Sequence, residues 1–170
     1  MARARSCELP QLSRLRSSLS RIDYLDSYTE QSKLAGQSVL EIYAAVLGQP
    51  PTVFKHLLVA RSVLVRPFGI AGVSYQELSR RIDTKRTYAL GDKIGRWVLF
   101  DRTENELIVG ANDKHLDFRV SILRDGRDKV VLSTAVMTHN GFGRAYLAVI
   151  LPFHRFGVAT LLSDSTPANT

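Results

Sequence analysis

A chain of 170 residues with 45% hydrophobic and 23% charged content has the make-up of one folded domain, long enough to bury about two thirds of its unfolded surface without metal or disulfides. Cys7 is the single cysteine, which excludes an internal disulfide and fits a reducing, cytoplasmic setting, and residues 2–21 hold no apolar run of secretory-leader length. The net charge of +7 does not indicate a nucleic-acid surface once it is divided along the chain: five arginines against Glu8 put +4 in the first 21 residues and leave +3 for the body.

Residues 1–21 are expected to form a basic, flexible tail, because termini are poorly ordered unless tied down. Leu9, Leu12, Leu15 and Leu19 sit at helical spacing within it, so the alternative is a short amphipathic helix in weak contact with an anionic membrane surface or a partner. Residues 22–30, with Tyr24 and Tyr28 on one face and Leu25, Ser27 and Thr29 on the other, predict a first strand. Ser38 and Glu41 fit a capping box, Val39, Leu40, Ile42, Tyr43, Val46 and Leu47 supply an apolar face, and Gly48 before Pro50 supplies the stop. A second helix is expected from Pro51 through Val65, ended by Pro67 and Gly69. Residues 70–83 are compatible with a short helix or a loop.

From Arg86 the period changes to two. Candidate strands are residues 87–93 and 94–103, around Gly91 and Gly95, then 106–110, 115–123 and 129–139, with Asp125 and Gly126 making a hairpin signal. Residues 140–163 close the domain as a helix of roughly 30 Å, about the span of a nine-residue strand. Asn140 caps it, and Phe142, Ala145, Tyr146, Val149, Phe153, Phe156 and Thr160 offer a face for docking. Pro152 predicts a kink or a helix in two pieces. Together with His154 and Arg155 it interrupts the apolar run, which favours a core helix over a membrane span. Residues 164–170 read as a flexible polar tail.

Short turns between strands make them antiparallel neighbours. The expected fold is therefore α+β: a curved antiparallel sheet of about six strands over residues 22–163, two short helices, and a long C-terminal helix across the concave face, with an apolar cavity between. That order is the order of the helix-grip fold. The run from Tyr88 to Leu162 resembles an uncharacterised, mostly bacterial family of START-like (SRPBCC, Bet v 1-like) domains catalogued as domain of unknown function 2867. The matching pieces are Gly91-Asp92-Lys93-Ile94-Gly95 before Trp97, His115-Leu116-Asp117-Phe118-Arg119, His139-Asn140 with Gly143-Arg144-Ala145-Tyr146, and Leu151-Pro152-Phe153-His154-Arg155. The resemblance implies the fold and supplies no reaction and no catalytic residue.

Trp97, Phe118, Tyr146, Val149, Phe153 and Phe156 are candidate walls for a small hydrophobic ligand of lipid, isoprenoid or polyketide-like type, with Arg144 available for an anionic group. His115, Asp117 and Arg119 project from one strand face about 7 Å apart. Such a row suits acid/base work of a cyclase or isomerase if it looks into the cavity, and alternation with Leu116, Phe118, Val120 and Ile122 favours an outward row instead. His139 and His154 are the other candidate pair, expected near one cavity mouth. No cofactor is implied, and Asp113, His115 and Asp117 lack the His/Cys richness of a zinc site. No G-x-S-x-G elbow, dinucleotide fingerprint or phosphate-cradling loop occurs.

Overall fold

The computed structural model describes residues 4–48, 55–56, 76 and 81–164. The expected second helix, apart from residues 55–56, most of the open stretch 70–83 and the tail beyond residue 164 lie outside the described residues. Among the described residues seven antiparallel strands form one sheet: β1 (Arg5–Ser6), β2 (Tyr24–Gln31), β3 (Lys93–Ile94), β4 (Trp97–Arg102), β5 (Glu106–Asn112), β6 (Leu116–Asp125) and β7 (Lys129–Thr138). They lie in the order β1-β2-β7-β6-β5-β4-β3, so the meander from β3 to β7 finishes beside β2. Helices α1 (Val39–Leu47) and α2 (Gly141–Asp164) pack side by side, α1 over β5 and β6, α2 over β2 and β7. This is the sheet-and-terminal-helix arrangement of a helix-grip fold.

The local signals act where they stand. Ser38 Oγ accepts from the Glu41 N–H and the Glu41 carboxylate accepts from the Ser38 N–H at 2.9 Å, so both halves of the capping box form and α1 ends at Gly48. Gly126 takes φ 78°, a left-handed conformation that favours glycine, and closes the β6–β7 hairpin with Asp125 opposite Lys129. Residues 87–92 are not a strand. Asp92 folds them into a turn, its N–H donating to Ala89 O and its carboxylate accepting from the Ala89 N–H. Gly91 at φ 91° completes that turn, so only Lys93 and Ile94 remain extended enough to pair with β4.

Alternation assigns the two faces. Leu107, Val109, Val120, Ile122, Val130 and Leu132 point to the helix side and join the apolar face of α1 with Val158 and Leu162 of α2. Ile108 and Ala135 point the other way, where a second cluster forms with Leu15 and Leu19. The expectation of a flexible N-terminal tail is therefore corrected: Arg5 and Ser6 extend the sheet as its edge strand, and Leu9, Leu15, Leu19 and Ile22 cover its far face. Leu15 is fully buried, the Cys7 N–H donates to Ser27 O at 3.0 Å, and the buried Glu106 carboxylate accepts from Ser13 Oγ at 2.5 Å and the Arg14 N–H at 2.7 Å. The leucine spacing was visible in the sequence, and the sheet supplies the surface that it fits. Of the four leucines only Leu12 is strongly exposed, at 83%.

Where β2 begins and β7 ends, Asp23 accepts from the Thr138 N–H and hydroxyl, each at 2.7 Å, and from Arg21 at 2.8 Å. Arg21 first and Thr138 second hold this carboxyl well below the usual carboxylate range. A depressed folded-state pKa gives stability that is fully present above the unfolded value, about 3.9, and is lost as pH falls through the folded one. Urea midpoints measured across the acid range are expected to fall less steeply for Asp23→Asn than for the native chain.

Candidate functional site

Helix α2 is gripped unevenly. Its inward face is Gly143, Leu147, Ile150, His154, Gly157, Val158, Leu161 and Leu162, of which only Gly143 and the residues from Gly157 onward include fully buried positions. Between them, Tyr146, Leu147, Ile150 and Leu151 are half-buried. The docking face expected from the sequence is thus turned around: Val149, Phe153 and Phe156 are 71%, 70% and 68% exposed, and Ala145 is exposed beside them. The reason is steric. A Cβ on Gly143 would strike the His115 carbonyl, so the side lacking side chains comes closest to the sheet and the aromatic side points away. The helix runs through Pro152 as one 24-residue element rather than two pieces. Phe153→Ala is accordingly expected to shift stability by under about 0.5 kcal/mol in thermal denaturation, against about 3 to 5 kcal/mol for a core phenylalanine.

On the helix side of β4 and β6, Trp97 and Phe118 pack against the core edge to face, with ring centroids 5.7 Å apart. Both are only half-buried. The Arg96 guanidinium lies 4.2 Å from the Trp97 ring centroid. Burial pushes its pKa down, the Tyr43 hydroxyl acting in the opposite sense, and among the described residues it makes no ion pair. The hairpin that carries it is fixed by Gly95 at φ 65° and by Tyr43, whose hydroxyl donates to Ile94 O at 3.1 Å. The sequence singled out Trp97 and Phe118 as candidates and Arg96 was not among them, although it stands in a two-residue turn beside a tryptophan.

The histidine candidates separate. His115, Asp117 and Arg119 lie on the face away from the helices, as alternation favoured, yet the row is not solvated. Arg119 is buried, its guanidinium 3.4 Å from the Phe100 ring centroid and donating to Phe118 O at 2.8 Å. Burial lowers its pKa, Asp117 opposing. His139 Nε2 meets Asp117 Oδ1 at 3.0 Å, whereas His154 Nε2 meets Asp26 Oδ1 at 3.4 Å on the helix side, so His139 and His154 do not share a site. Tyr24 donates to Asp26 Oδ2 at 2.7 Å and accepts from Arg155 Nε at 3.3 Å. Burial, with Asp26 adding and Arg155 opposing, pushes the Tyr24 hydroxyl up to about 12. This group ties the middle of α2 to β2.

Asn140 joins the strands to the helix start. Its Oδ1 accepts from the Gly143 N–H at 2.9 Å, and its amide nitrogen donates to Lys114 O at 3.2 Å and lies 3.1 Å from His115 Nδ1. The His139 N–H donates to His115 O at 2.8 Å, closing the same junction. The motif residues His115, Asp117, His139, Asn140 and Gly143 therefore fix where α2 leaves the sheet. Arg144 is exposed on the first turn. Among the described residues no cluster of His, Cys, Asp and Glu is arranged for a metal. An open groove of roughly 600 Å³ between Gly36 to Val39 and Arg102 to Glu104 touches none of the candidate residues, and its Arg124 is bonded to Gln37 O and Asn105.

An antiparallel sheet, a terminal helix bonded to it through Asn140 and His115, and half-covered aromatic residues on its helix side define an α+β sheet-and-helix domain. The chain belongs to the family described as protein of unknown function (DUF2867), which it matches over residues 18–161. Comparison with curated proteins and with solved structures found no match.

Proposed function

We propose that this is a START-like binding domain that holds a small lipophilic molecule between the N-terminal half of α2 and the helix side of the sheet. The observation that carries the reading is the half-covered Trp97–Phe118 pair on the helix side of the sheet, together with the half-buried Tyr146, Leu147, Ile150 and Leu151 of α2. Large aromatic side chains left partly open beside an apolar helix are the walls that a hydrophobic ligand completes. A lipid, isoprenoid or polyketide-like aromatic fits that chemistry. Arg96, desolvated and unpaired among the described residues, suits a carboxylate or phosphate on the same ligand. The role is binding; the candidate histidines are engaged with Asp117, Asn140 and Asp26.

Native mass spectrometry of freshly purified protein beside its denatured extract is expected to show a bound lipophile. Phe118→Ala removes about 1.5 kcal/mol of apolar contact and should weaken rebinding about tenfold. Protein that emerges empty and takes up nothing from a panel of lipids and aromatic hydrophobes would overturn the reading.

A further inference from the structure

We propose that the outer face of α2 docks this protein on an anionic lipid surface, a role separate from whatever the inner face encloses. Ala145, Ala148, Val149, Pro152, Phe153 and Phe156 are all exposed and recur every three to four residues, so they form one apolar stripe along three turns. Two of them are phenylalanines about 70% open to solvent, a costly arrangement for a surface with nothing to cover it. Arg144 and Arg155 are eleven positions apart, hence at nearly the same angle around the helix, and both flank the same edge of the stripe. Residues 141–163 contain no Asp or Glu. Among the described residues, the sheet's Asp26 is on the inner side against His154. An apolar stripe edged only by cations matches the boundary between acyl chains and anionic headgroups.

By length and composition alone Gly141–Ser163 would also cross a membrane. Its inner face is instead fastened to the sheet, with Val158 and Leu162 in the core and His154 on Asp26, so the helix lies along the surface. A second copy fits less well. In an antiparallel pairing of two such stripes equal edges face each other, which sets Arg144 of one copy against Arg155 of the other with no carboxylate to relieve them.

The test is co-sedimentation with vesicles of phosphatidylcholine mixed with phosphatidylglycerol, alongside vesicles of phosphatidylcholine alone. The native chain is expected to pellet with the mixed vesicles and far less with the neutral ones. Phe153→Asp with Phe156→Asp should weaken binding about fiftyfold, and Arg144→Gln with Arg155→Gln about twentyfold. The phenylalanine double variant should keep the native thermal midpoint, and both double variants should keep the native amount of bound lipophile, which separates this face from the inner one. Protein that stays in the supernatant with the mixed vesicles, or binds neutral vesicles equally well, overturns the proposal. So does a dimer in sedimentation velocity that the Phe153→Asp and Phe156→Asp changes dissociate.

Discussion

Replacing Glu106 with leucine is expected to destabilise the fold by about 3 to 4 kcal/mol, a large part of a typical domain's margin of about 5 to 15 kcal/mol. The carboxylate is buried and accepts from Ser13 Oγ, the Arg14 N–H and Ser121 Oγ at 2.5, 2.7 and 2.6 Å. Leucine makes none of these bonds and leaves three donors under the N-terminal segment with no acceptor, a cost that falls on the variant alone. Urea denaturation reads the loss. Hydrogen exchange then distinguishes its cause, since the Arg14 and Leu15 amides should lose protection ahead of the β6–β7 pair. Deleting residues 1–17 should act in the same direction by uncovering Ile108 and Ala135. A deleted chain as stable as the native one would mean that this segment is the loose tail its composition suggests.

The second large effect runs against helix propensity. Gly143→Ala adds a residue that favours a helix interior by about 1 kcal/mol, yet it is expected to lower stability by about 2 to 3 kcal/mol. The added Cβ would overlap the His115 carbonyl, which is backbone held by the His139 N–H and cannot swing aside. Relief requires α2 to lift from β6, stretching the Asn140 bonds to Lys114 and His115. Thermal unfolding gives the sign directly, and a stabilised Gly143→Ala would show that the helix does not approach the strand this closely.

The elements that were legible in advance are those specified by neighbours in the chain. The capping box at Ser38 and Glu41 involves residues three apart, the β6–β7 hairpin turns on Asp125 and Gly126, and β6 alternates residue by residue. The helix-grip order followed from those pieces. Of the candidate wall, Trp97 and Phe118 stand together on the helix side, whereas Val149, Phe153 and Phe156 are turned outward. Hydrophobic spacing marks two opposite apolar stripes on α2 and does not rank them. Close approach through Gly143, with Gly157 buried on the same side, ranks them, and glycine carries no hydrophobic signal.

The amino-acid sequence by itself determined most of the described strand and helix segments, the antiparallel meander and the family, because these rest on local period, turn chemistry and motif order. Only the tertiary structure decided that the basic N-terminal segment is a layer of the fold, that His139 and His154 serve opposite faces, and which side of α2 meets water. Each of those outcomes depends on groups far apart in the chain: Ser13 and Glu106 are 93 positions apart, and His154 and Asp26 are 128. Their meeting is set by how strands stack into a sheet, and no window of neighbouring residues encodes it.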